Sequence, residues 1–281
     1  MFVKLPPYDP VLYDGNHLEA RQVDVLEPMM KIFRWAKKYY FFADISGWEN
    51  LPKDRHVLLV GNHNGGLGTP DLPLLITAWH DRFKDARPLH MLAHDVNFIF
   101  RTTAMMTCLA GGLRATRANG LKVLQEARRD LLIYPGGGKE FFRPFTERYR
   151  VNFFGHKGFI RLALRAGVPI VPVVACGAHE SLFIIASNRR LARALGLDKK
   201  KIPVIPLQFS FPLGLTLGLV PNIPTPTKVQ IHFEKPFLLD EYGPEDADND
   251  DALELIYEQV LGRMQKRMDI LADSRLLPAF F

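Results

Sequence analysis

The stretch Leu58-Leu-Val-Gly-Asn-His-Asn-Gly-Gly-Leu-Gly-Thr-Pro-Asp71 constrains this chain more than any other. An apolar run of strand character breaks at Asn62-His63 into a glycine-rich turn, and a helical pattern follows from Asp71 to Trp79. A second strand enters glycines at Leu131-Leu-Ile-Tyr-Pro-Gly-Gly-Gly-Lys-Glu140. Strands that alternate with helical segments imply parallel neighbours, because a parallel partner is reached only by a long crossover. Asn119 is placed to cap a helix running to Arg129, and a helix over Lys157 to Ala166 stops at Gly167. Ile170 to Ala175 and Lys228 to Phe233 read as further strands. A last helix from Asp250 to Leu271 carries Leu253, Ile256, Tyr257, Val260, Leu261, Met264, Met268 and Leu271 as an apolar stripe.

The expectation is an α/β fold: a single domain with a mostly parallel central sheet flanked by helices, preceded by an N-terminal amphipathic helix. Residues 1–46 form the N-terminal, membrane-facing segment, 47–240 the α/β domain, and 241–281 a C-terminal helix packed on it. At 281 residues, 47% hydrophobic and 23% charged, the chain can bury one large core. Ligand loops in such sheets gather at the carboxyl ends of the strands, where both glycine turns fall.

The formal charge of +6 suits an anionic partner. No nucleic-acid motif is present, which leaves an acidic membrane face or a phosphate-bearing co-substrate. Cys108 and Cys176 lack metal-type spacing, so no metal site is expected and both read as reduced thiols. Met1-Phe-Val-Lys-Leu-Pro-Pro holds no apolar core of signal-peptide length. Over residues 27–42, Glu27, Lys31, Arg34 and Lys38 line one polar stripe, while Ile32, Phe33, Trp35, Tyr39 and Tyr40 cover much of the rest. This is either an interfacial helix or one packed on the domain with solvated lysines. From Ile202 to Thr227 there is no charge, but six prolines exclude a spanning helix; short strands and loops, buried or dipping into lipid, fit instead.

A histidine delivered by a strand into a loop of small residues is uncrowded, and a nearby carboxylate can orient it, as a general base requires. His63 and Asp71 meet that description. Backbone N–H groups of Gly136, Gly137 and Gly138 can hold an oxyanion, typically worth ~3 kcal/mol per donor. Arg114 and Arg117 follow Gly111-Gly112, and Arg143 and Lys157 flank the later loop; they are either anion ligands or solvated charges. There is no G-x-S-x-G elbow, and Ser181, in Gly177-Ala-His-Glu-Ser181, lacks the elbow glycines, which disfavours a covalent serine mechanism.

These motifs resemble, in order, the blocks of the glycerolipid (lysophospholipid-type, 1-acylglycerol-3-phosphate acyltransferase-like) acyltransferase family. The first is Asn62-His63 with Asp71, the second Gly112-Leu-Arg-Ala-Thr-Arg117, the third Tyr134-Pro-Gly-Gly-Gly-Lys-Glu140, and the fourth the strand Val168 to Val173 after Lys157-Gly158. The family usually has four residues between its histidine and aspartate, and seven stand here. Where it has a glutamate after the proline this chain has Gly136, with Glu140 later, which resembles the diacylglycerol acyltransferase-like and phytyl-ester-forming branch.

The resemblance implies transfer of a fatty acyl group from acyl-CoA or acyl carrier protein to a lipid hydroxyl: a lysophospholipid, diacylglycerol or fatty alcohol. It implies His63 and Asp71 as catalytic residues, Asn62, Arg114, Arg117, Glu140 and Lys157 as substrate-binding residues, and no tightly bound cofactor. Lipid substrates place the protein peripherally on the cytoplasmic face of a membrane. The alternatives are a thioesterase or lipid ester hydrolase, and a non-catalytic lipid-binding protein.

Overall fold

A computed structural model describes residues 5–197, 202–220 and 222–275; residues 1–4, 198–201, 221 and 276–281 lie outside them. In chain order the elements are α1 (Glu27–Tyr39), β1 (Asp44–Ser46), β2 (Leu58–Gly61), α2 (Asp71–Phe83), β3 (Leu89–Ala93), α3 (Arg101–Leu109), β4 (Gly112–Arg114), α4 (Arg117–Leu121) and β5 (Asp130–Ile133). There follow α5 (Gly137–Phe141), α6 (Gly158–Ala166), β6 (Ile170–Cys176), β7 (Phe183–Asn188), α7 (Arg189–Ala194), β8 (Ile205–Ser210), β9 (Gly214–Leu217), β10 (Gln230–Phe233) and α8 (Asp250–Asp273). Seven strands form the main sheet in the order β1-β10-β6-β2-β5-β3-β4, and β7-β8-β9 form a second sheet.

Every pairing in the main sheet is parallel except β10 with β6. The central strands are covered on both faces, which is why they read as unbroken apolar runs. Alternate residues feed opposite layers. Leu58 and Val60 pack with Ile160 of α6 and with Val260 and Met264 of α8. Leu59 and Leu132 pack with Leu74, Leu75 and Trp79 of α2. A one-residue slip of β2 would exchange the two sets, so the register is firmly fixed.

The segment 1–46 is woven into the domain. β1 pairs with β10, and Tyr13, Ala20, Val23, Leu26 and Met30 pack on Met105, Cys108 and Leu109 of α3. α1 is packed on the domain by one side and open on the other. Met30 and Ala36 are buried, while Lys31, Ile32, Trp35, Lys38 and Tyr39 face out. Among the described residues no helix is long and apolar enough to cross a membrane.

Gly167 ends α6 in the left-handed conformation at φ 63°, as its position before Pro169 suggests. The helix assigned from Asn119 to Arg129 is different. Thr116 is the cap, its hydroxyl accepting from the Asn119 N–H, and the chain widens into a π-turn over Lys122–Glu126. Asn119 is buried because its amide is needed elsewhere. It donates to the Gly15 and Arg114 carbonyls and to Asn16, fastening the N-terminal segment.

His90 on β3 is fully buried, and burial, with Arg129 beside it, lowers its pKa to about 3. The unfolded chain takes up this proton near pH 6.5, so stability is full above that pH and is lost as pH falls toward the folded value. His90 is expected to remove ~2 kcal/mol of stability between about pH 7.5 and 5. Urea denaturation at the two pH values checks this, and His90→Gln should lessen the difference.

Candidate active site

β2 lies between β5 and β6, so the loops leaving these three strands converge at one edge of the sheet. Gly61 ends β2, and a Cβ there would stand 2.5 Å from the ring of Tyr134, the first residue after β5. The missing side chain lets Tyr134 stack on His63, with centroids 4.6 Å apart and planes at 21°. Phe141 of α5 lies 4.2 Å from the same imidazole, tilted by 44°. The His63 ring is half-buried, and its Nδ1 is buried without a hydrogen-bond partner. Burial, with the Arg143 charge adding to it, pushes the pKa down to about 3 and keeps the imidazole neutral.

The loop carrying His63 is held from below by polar groups that are themselves buried. The His63 N–H donates to Glu140 Oε2 at 2.9 Å, and Glu140 Oε1 accepts from the Asn152 N–H at 3.2 Å. Burial, opposed by Arg143, raises Glu140 to about 7. The Arg143 guanidinium donates to the carbonyls of His63, Glu140, Glu147 and Arg148 and to Asn64 Oδ1. The Gly65 N–H donates to His179 Nδ1 at 2.9 Å, and His179 Nε2–H donates to the Arg143 carbonyl at 2.9 Å. Those two bonds fix one neutral tautomer of His179, and burial holds its pKa well below the usual value.

The direct His63–Asp71 pairing expected from the sequence is absent here. Asp71 opens α2, where one carboxylate oxygen accepts from the Leu72 N–H at 2.8 Å and from the Thr69 hydroxyl. The other accepts from the Asn64 amide at 2.8 Å. Seven intervening residues, with Gly65 and Gly66 both at positive φ, carry the aspartate into the first turn of the helix, where Asn64 is its partner from the loop.

Several expected substrate ligands have framework duties instead. Asn62 is fully buried, and its amide exchanges hydrogen bonds with the Ala175 backbone on β6 at 2.8 and 3.0 Å. Glu140 is fully buried beneath His63. Its carboxylate lies against Gly136, where an added Cβ would be 2.1 Å from Oε2. Arg143, read as an anion ligand, is spent on the loops. Arg114 pins the N-terminal segment through the Asp14 carbonyl at 2.7 Å and Asp95 at 3.1 Å. Lys157 pairs with Glu254 of α8.

Among the described residues the Arg117 side chain makes no framework bond. It is exposed at the start of α4 and lines a cleft of about 300 Å³ with Thr116, His156, Arg161 and an apolar wall including Leu92, Phe159 and Leu162. Tyr134 lines this cleft and also stacks on His63. Gly136 precedes α5, and the Gly137 N–H is turned onto the Tyr134 carbonyl at 3.3 Å. Among the described residues no group of three histidine, cysteine, aspartate or glutamate side chains is placed to hold a metal ion.

The acyltransferase family model matches residues 43–175, which span β1 through most of β6 and take in the loops after β2 and β5 but not the one that carries His179. The likeness to acyltransferases read from the motifs is thus matched by a family model over just under half of the chain. An uncharacterized protein of Mycobacterium tuberculosis is 32% identical over 251 residues, covering 89% of this chain and 66% of that protein. Phytyl ester synthase 2, chloroplastic, of Arabidopsis thaliana is 26% identical over 81% of this chain and 34% of its own length. The chain therefore spans just under two thirds of the mycobacterial relative and about a third of the plant one. The crystal structure of the 1-acyl-sn-glycerophosphate acyltransferase PlsC from Thermotoga maritima superposes with a TM-score of 0.53 at 18% identity, over 90% of this chain and 81% of that one, so the fold is shared.

The contact between Gly61 and Tyr134 is expected to be decisive for the packing around His63. Gly61→Ala forces the Tyr134 ring away and should cost ~1–3 kcal/mol. In Tyr134→Ala the space is free, and adding Gly61→Ala should cost much less. A double-mutant cycle by chemical denaturation measures this coupling; strictly additive losses would contradict the contact.

Proposed function

We propose that this protein is an O-acyltransferase that moves a fatty acyl group from a thioester, acyl-CoA or acyl carrier protein, to a lipid hydroxyl at a membrane surface. The observation that carries the reading is the neutral, half-buried His63 with an unpartnered Nδ1, on a clamped loop whose neighbour Tyr134 walls the Arg117 cleft. His63 accepts the acceptor's hydroxyl proton as the oxygen attacks the thioester carbonyl. The tetrahedral adduct then collapses, the C–S bond breaks, and the departing sulfur takes the proton back from the imidazolium.

Asp71 braces the loop that carries His63 by accepting from the Asn64 amide. The N–H groups of Gly136 and Gly138 serve the oxyanion, that of Gly137 being held by the Tyr134 carbonyl. Arg117 holds a phosphate of the donor or acceptor, and the apolar wall of its cleft takes hydrocarbon. Gly136, with Glu140 folded against it, and the likeness to phytyl ester synthase 2 favour a neutral alcohol or diacylglycerol as acceptor. The outward stripe of α1, with Trp35 and Tyr39 between Lys31 and Lys38, supports peripheral attachment at the cytoplasmic face.

The test is acyl transfer on liposomes with labelled long-chain acyl-CoA and a panel of lysophosphatidate, diacylglycerol and fatty alcohol. His63→Ala should lower the rate by roughly 10²–10⁴ without lowering the melting temperature. Free fatty acid as the sole product, whatever acceptor is supplied, would make the protein a hydrolase instead.

A further inference from the structure

The β7-β8-β9 sheet turns large apolar side chains outward and, beside the buried Ile184, polar ones inward. Its register aligns Phe183 with Phe209 and Phe209 with Leu215, so these three form a cross-strand row on one face. Leu217 follows on that face, opposite Leu207. Phe183, Phe209, Leu215 and Leu217 are 49, 57, 64 and 60% exposed. The other face carries Gln208 and Ser210, at 1 and 0% exposed. The Gln208 amide donates to Ser210 Oγ at 2.9 Å, Ser210 and Thr216 share a bond at 3.1 Å, and Thr216 donates to the Gln208 carbonyl. A sheet laid on a core in water does the reverse, apolar in and polar out. Shifting the register by one residue would restore the ordinary pattern but break this inner network.

The surroundings identify what covers the outer face. The tip between β8 and β9 adds Phe211 and Leu213, both more than half exposed. The Ile223 N–H donates to the Phe211 carbonyl, and the next carbonyl, Pro224, accepts from Tyr40 Oη at 2.9 Å, so the charge-free stretch is fastened to the end of α1. There Trp35 and Tyr39 face out beside Lys31 and Lys38. At the far end of β7, Arg189, Arg190 and Arg193 of α7 are exposed. An apolar plate without charge, bordered by amphipathic aromatics and cations on a chain of net +6, is complementary to an anionic leaflet: hydrocarbon beneath, phosphates around.

We propose that the outer face of the β7-β8-β9 sheet inserts its side chains into the apolar layer of an anionic lipid leaflet, with α1 lying beside it among the headgroups. The open hydrogen-bonding edge of β9 limits the depth. Its backbone must stay near the wet headgroup zone, because unpaired peptide groups are not carried into hydrocarbon. The inference rests on the acyltransferase reading only for its purpose, delivery of lipid to the site, and its test needs no turnover.

The full-length protein is floated with vesicles of phosphatidylcholine alone and of phosphatidylcholine mixed with phosphatidylglycerol. The native protein should float with the mixed vesicles. Phe209→Glu/Leu215→Glu should reduce the bound fraction by about tenfold or more, since carboxylates in the apolar layer are strongly disfavoured. Leu255→Glu, an exposed leucine on α8, should float as the native protein does. All variants should melt alike, and the indole of Leu217→Trp should be quenched by lipids brominated in the acyl chains. Flotation of the double variant at the native level overturns the proposal, as does failure of the native protein to float with either vesicle. A native dimer that Leu215→Glu separates, with no vesicle binding, would assign the face to a second copy. Binding as expected without ester formation would leave the leaflet contact standing and remove the enzymatic reading alone.

Discussion

The site depends on one buried guanidinium. Arg143 reaches the carbonyls of His63, Glu140, Glu147 and Arg148 and the amide of Asn64, so it joins the loop after β2 to the loop after β5. Through its own carbonyl it also holds His179, from the loop after β6. Arginine suits this post because its five donors point in a fixed plane and stay charged where a lysine would lose its proton. Without it four carbonyls would compete for other donors in a place closed to water, each at a cost of about 1–3 kcal/mol.

The same burial divides labour between two histidines. His179 spends both nitrogens on backbone groups and has no proton left to move. His63 has Nδ1 unspent, and the rings that crowd it remove the water that would otherwise charge it. What distinguishes them is partner count, since burial lowers the pKa of both. Glu140 completes the set by anchoring the main chain of His63 and leaving its ring free.

Much of the fold is legible because the period of the apolar residues is simple. β2, β5 and β6 are continuous apolar runs, and α8 keeps its stripe over its full length. The convergence of the two glycine loops at one sheet edge is also legible. The polar framework is not, because it depends on which strands are neighbours. Asn62 finds Ala175, and Gly65 finds His179, only once β6 is placed beside β2, and nothing local to either segment encodes that order. The spacing from His63 to Asp71 suggests an acid and its base, whereas helix capping claims the carboxylate. The polar side of the second sheet was hidden for a related reason: alternation in β8 and β9 gives two faces but not which of them is inward.

Gly136 and Glu140 occupy a single volume between them. The carboxylate of Glu140 fills the space in which any side chain at 136 would begin, so a glutamate at the earlier position and the present placement of the later one are mutually exclusive packings. A chain cannot drift from one to the other by a lone exchange at 136, because the incoming side chain meets the incumbent carboxylate and the incumbent is holding His63. Positions 136 and 140 are thus bound to change as a pair. In descendants of either arrangement the two should co-vary, and this pair would sort lineages more cleanly than the histidine block they have in common.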